Sequence, residues 1–202
     1  MAMLNPCSFP PQNQSQMSNS IFFVRHGETA RKVLGLTQGQ LDSPLTDRGR
    51  EQAVRCAYEL RMESICTVVS SPLGRALASA QVIASELALA EPVVESRFAE
   101  RNEGMLQGES RAQQRMAFPH LFGPDGELLL DAAIPQAEPF EEFVRRVVNG
   151  VAAVSAYDGN TLVVCHAGPM QIVDSLIRSE KPNDWRKFRR IPLCGILRYE
   201  PR

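Results

Sequence analysis

Ser20-Ile21-Phe22-Phe23-Val24-Arg25-His26-Gly27-Glu28-Thr29 decides the fold of this chain. Four consecutive large apolar residues give way abruptly to a cation, an imidazole and a glycine. A short unbroken apolar run predicts a strand buried on both faces, and the polar stop marks its carboxyl end. Residues 66–71 (CTVVSS) and 161–165 (TLVVC) have the same character, while 92–96 (PVVES) and 196–200 (ILRYE) predict weaker strands.

Helical patterns alternate with these strands. Thr46-Asp47-Arg48 caps a predicted helix with Ala53, Val54, Ala57, Tyr58 and Leu60 inward. A second follows Ser71-Pro72, with Ala76, Ala80, Ile83 and Leu87 on one stripe. A third begins near Pro139 and repeats Phe140, Phe143, Val144, Val147, Val151 and Val154 at spacings of three and four. A fourth starts near Pro169, with Met170, Val173 and Ile177 facing in. The alternation predicts a single α/β domain over 20–202: three layers, α/β/α, around a mostly parallel sheet. Residues 104–138 interrupt it with Gly104, Gly108, Pro119, Gly123, Pro124, Gly126 and Pro135, and read as an irregular insertion covering one end of the sheet. Residues 1–19, rich in Asn, Gln, Ser and Pro, are expected to form a disordered tail.

Composition narrows the function. Of 202 residues 44 % are hydrophobic, enough for a sizeable core, and Lys+Arg (22) nearly cancel Asp+Glu (23). No global field draws the chain to nucleic acid or membrane, so any anion must be met by local charge. No apolar window approaches the roughly 20 residues of a membrane span, and the first residues lack the basic start and apolar core of a secretory signal. Five cysteines (Cys7, Cys56, Cys66, Cys165, Cys194) without CxxC spacing read as reduced thiols, which makes the cytoplasm the expected compartment.

In open parallel sheets, ligands bind at the carboxyl ends of strands. Three predicted strands end in Arg25-His26-Gly27, Pro72-Leu73-Gly74-Arg75 and His166-Ala167-Gly168. Two of the three histidines and two arginines therefore converge on one rim, whereas His120 reads as structural. Phosphoryl transfer needs a positioned nucleophile, positive charge on the equatorial oxygens and a proton for the leaving group. His26 suits the first role, Arg25 and Arg75 the second by their forked donors, and His166 adds a cation if protonated. Backbone N–H groups around Gly27, Gly39 and Gly168 are expected to approach the oxygens. Glu100, just past the 92–96 strand, is the candidate proton donor, with Glu28 and Glu103 as nearby rivals.

Arg25-His26-Gly27-Glu28-Thr29, Gln38-Gly39, Asp42-Ser43-Pro44-Leu45-Thr46 and Gly49 together resemble the opening of the histidine phosphatase, or phosphoglycerate mutase-like, superfamily in its first branch. Ser70 to Ala76, Glu100 to Gly108 and Val164 to Gly168 resemble its later blocks, so the likeness runs in order from about residue 21 to 200. It implies a phosphohistidine on His26, Glu100 as acid and base, and a phosphate pocket of Arg25, Arg75 and His166. It also implies substrate binding by Gln38, Gly39 and Ala167, with no metal and no other cofactor. Lys32 stands where an asparagine is common, and Ala167 where a glycine is.

The expected activity is hydrolysis of a small phosphorylated metabolite by a monomer or homodimer. A mutase shares every core residue, but the cofactor-dependent mutases carry a longer insertion with paired arginines. Here 65 residues separate Glu100 from His166, with no Arg-Arg pair in 104–138. A relative that binds a phospho-ligand without turnover is the third reading. Cys165 lacks an arginine six positions on, where Gln171 stands, and neither GxxxxGK[ST] nor GxGxxG occurs. Arg101, Arg111 and Arg115 read as solvated loop charges, and Met105 and Met116 as packing.

Overall fold

The computed structural model describes residues 19–126, 128–129, 133–179 and 190–201. The expected disordered tail lies, save Asn19, outside them. Five strands form one sheet: β1 (Ile21–Arg25), β2 (Ile65–Ser70), β3 (Val93–Val94), β4 (Asn160–Cys165) and β5 (Ile196–Tyr199). Their order is β3-β2-β4-β1-β5, parallel throughout except for β5, which runs antiparallel to β1 at the edge.

The helices are α1 (Ala30–Val33), α2 (Asp47–Leu60), α3 (Gly74–Glu86), α4 (Arg111–Ala117), α5 (Phe140–Val154) and α6 (Ala167–Ile177). Strand alternation divides the core into two. Phe22 and Val24 of β1 pack with Val68, Leu162 and Val164 beneath α2 and α3. Ile21 and Phe23 face the other way, with Val163 and Cys165, beneath α5 and α6. Both faces of β1 are thus covered, which is why its sequence is an apolar run rather than an alternation.

Some inward positions differ from expectation. Tyr58 of α2 is exposed and Cys56 buried in its place, and Ile177 of α6 is 37 % exposed. The 104–138 insertion is less irregular than its glycines and prolines suggest. Ser110 and Gln113 form a reciprocal capping box at the start of α4, and Leu106, Leu121 and Ile134 make a small core of their own. Cys56, Cys165 and Cys194 are free thiols. Cys66 is disulfide-bonded, which corrects the reading of all five as reduced; it sits half-buried where the β2–β4 register shifts, outside the sheet core. Among the described residues no helix is long and apolar enough to cross a membrane.

Candidate active site

β1 and β4 are neighbours in register, Arg25 opposite Cys165, so the next residues of each strand emerge side by side. His26 donates its backbone N–H to the Cys165 carbonyl at 3.0 Å, and the rings of His26 and His166 lie 5.1 Å apart. β2 adds Ser71, whose N–H bonds the Val164 carbonyl, and α3 adds Arg75 one turn later. The four side chains predicted to converge do so.

Hydrogen bonds and burial set the state of each imidazole. His26 Nδ1 lies 2.7 Å from the Gly27 carbonyl, which can only accept, so Nδ1 carries the proton. Nε2 then keeps its lone pair and accepts from Arg75 Nε at 3.2 Å. Burial, followed by the Arg75 guanidinium, lowers the His26 pKa to about 3, so the ring is neutral at any physiological pH. At His166, Ser71 Oγ accepts from the Leu73 N–H at 3.3 Å and is hydrogen-bonded to Nε2 at 2.7 Å. Nδ1 is buried with no partner. Burial holds the His166 pKa well below 6.5. The condition for a third cation there is not met, because enclosure and neighbouring positive charge keep the ring neutral.

Arg75 is 1 % exposed and gives its terminal nitrogens to the Leu41 and Gly39 carbonyls, at 2.9 and 2.6 Å. Arg25 anchors one nitrogen on the Ile191 carbonyl at 2.6 Å and keeps Nε buried without a partner. Burial lowers both guanidinium pKa values, yet arginine's ordinary value is high enough to keep the charge. Of the glycine N–H groups, Gly27 donates to Ser79 Oγ and Gly168 to Glu100 Oε2, so neither is free for a phosphate. Ala167 opens α6, whose N-cap His166 supplies no side-chain cap, and it lines the cavity.

Glu100 reaches the site from the loop after β3. Its Oε1 accepts the Arg101 N–H at 3.0 Å and its Oε2 the Gly168 N–H at 3.3 Å. A Cβ on Gly168 would stand 2.2 Å from Glu100 Oε1, so that glycine admits the carboxylate to the His166 corner. Arg146 of α5 holds the segment from behind, bonding the Ala99 and Glu100 carbonyls at 2.7 and 3.0 Å. Glu28 is engaged elsewhere, accepting from Thr46 Oγ1. Gln38 lines the cavity and Gly39 bends at φ +49°, where a Cβ would meet Gln107 Oε1 at 2.1 Å.

The cavity is about 320 Å³ and is walled by Arg25, His26, Lys32, Gly35 to Gly39, Arg75, Glu100, Glu103, Arg111 and Ala167. Arg101 turns away to the Glu138 carbonyl, and Arg115 and His120 are exposed outside the wall. Sequence reasoning passed over Ser71, although its place one residue past β2 was a signal. It also left Arg111 as solvated charge. Among the described residues no three or more His, Cys, Asp or Glu side chains are grouped to hold a metal.

Fold and site define an α/β protein with a two-histidine, two-arginine anion pocket at the carboxyl edge of its sheet. Residues 21–202 match the histidine phosphatase superfamily (branch 1), and the chain belongs to that family. A relative in Yersinia enterocolitica, named a probable phosphoglycerate mutase GpmB, is 33 % identical over 187 residues, 89 % of this chain and 84 % of that one. The alpha-ribazole phosphatase of Shigella flexneri superposes with a TM-score of 0.73 at 26 % identity, covering 89 % of each chain. YhfR of Bacillus stearothermophilus shares the fold with a TM-score of 0.80 at 23 % identity, over 89 % of this chain and 90 % of that one. Members of the family are phosphatases or mutases, so catalysis is supported.

Proposed function

We propose that the chain is a metal-independent phosphatase that hydrolyses small phosphate monoesters through a phosphohistidine on His26. The observation that carries this is the neutral His26, its Nε2 lone pair turned toward Arg75 in a cavity that Arg25 and Glu100 also line, with the His166 ring 5.1 Å from its own. Nε2 attacks phosphorus and the P–O ester bond breaks. The leaving alkoxide takes a proton from the carboxylic acid form of Glu100. Water then attacks phosphorus, gives its proton back to the Glu100 carboxylate, and the P–N bond breaks to release inorganic phosphate. Arg25, Arg75 and His166 hold the equatorial oxygens throughout.

A mutase reading is favoured by the name of the Yersinia relative. It is weakened by the short stretch of 65 residues between Glu100 and His166, with no Arg-Arg pair in 104–138. A panel of phosphorylated metabolites, assayed with chelator present, separates the two: free phosphate is expected, and an isomerised ester without phosphate release contradicts the proposal. Glu100→Gln should slow alkyl esters by about 10²–10⁴-fold and aryl esters with good leaving groups much less. Equal losses for both would remove Glu100 from the donor role.

A further inference from the structure

The cavity contains a second carboxyl that the mechanism above does not use. Glu103 lines the wall three residues beyond Glu100, and among the described residues its carboxyl has no hydrogen-bond or ion-pair partner. Elsewhere the cavity is cationic, with Arg25, Lys32, Arg75 and Arg111 on its walls. Glu103 is half-buried, so its carboxyl is open to solvent or to a ligand in the cavity.

Its position fixes which part of a ligand it meets. Phosphorus sits by His26 and His166, and the ester oxygen must face Glu100 to receive a proton. The alcohol therefore leaves along the Glu100–Glu103 wall. The remaining cations are less available to it: Lys32 is exposed, and Arg111 is held by Gln114 Oε1 at 3.0 Å beside the Phe122 ring.

Resting on the phosphatase reading, we propose that Glu103 is a specificity-determining residue that selects monophosphates of uncharged polyhydroxy alcohols and rejects those with a carboxylate near the ester. A hydroxyl donates to the Glu103 carboxylate, whereas a carboxylate is repelled by it. Burial and the charge of Glu100 raise the Glu103 pKa to about 7, against the opposing pull of Arg111 and Arg101. The repulsion therefore grows as pH rises through neutrality, and the discrimination grows with it.

Glycerol 3-phosphate and 3-phosphoglycerate test this, because they differ mainly in a hydroxymethyl against a carboxylate and their phosphate ionisations cancel in a ratio. Calorimetric Kd values at pH 8.5 should favour glycerol 3-phosphate on the order of tenfold, and the preference should shrink several-fold at pH 5.5. Glu103→Gln should shrink it at pH 8.5 and remove its pH dependence. An unchanged ratio in Glu103→Gln, equal or tighter binding of 3-phosphoglycerate by the wild type, or no measurable binding of glycerol 3-phosphate at millimolar concentration overturns the proposal. Phosphate release is assayed in parallel, so that binding without hydrolysis fails the phosphatase reading while the Kd ratio still judges Glu103.

Discussion

Ser71 works at the smallest scale, one hydroxyl bonded to Nε2 of His166 at 2.7 Å. Removing it leaves Nε2 without its partner and frees the ring to change tautomer. Ser71→Ala should cost about 10–100-fold in kcat/KM, with a melting temperature close to wild type and a changed ¹⁵N pattern for His166. An unchanged pattern would deny the hydroxyl its role. His26 makes a separate prediction. Its imidazole is unprotonated in the folded protein down to about pH 3, whereas in the unfolded chain it protonates near 6.5. Its contribution to stability is therefore complete above pH 6.5 and is lost as pH falls from there toward 3. An NMR titration should show no His26 protonation between pH 8 and 5, and a midpoint near 6.5 would contradict the burial argument.

Close backbone approaches set how the elements meet. Gly49 in the first turn of α2 lies against the loop after β1, where an added Cβ would stand 2.1 Å from the Glu28 carbonyl oxygen. Backbone cannot swing aside as a side chain can. Gly49→Ala should cost at least about 1–3 kcal/mol and displace the 27–29 loop that orients His26, read as a lower urea midpoint together with reduced kcat. Wild-type stability in that variant would show the contact to be soft. Elements were legible where burial was two-sided: β1, β2 and β4 fell near their apolar runs because both faces are covered. The capping box at Ser110 and Gln113 shows what was missed, since α4 is short and mostly exposed and offers no hydrophobic period to find. Tyr58 and Ile177 fitted the helical period yet are exposed, while Cys56 is buried on α2.

At the scale of the molecule, sheet order turns distant residues into one pocket. β4 lies between β2 and β1, so the carboxyl ends of all three open on the same edge. Arg25, His26, Arg75 and His166 were readable in the sequence because each follows a strand with a recognisable end. Glu100 was readable as a position, but its support was not: Gly168 and Arg146 come from the far side of the chain, and no local pattern joins them to it. The burial that makes both histidines neutral was equally hidden, since it depends on which layers close over the rim. Rapid quench with a ³²P-labelled ester puts the account to its most direct trial. An acid-labile, base-stable label should appear on His26 within the first turnover and be absent in His26→Ala, which should not turn over. Steady turnover with no such label, or a label on another residue, would contradict it.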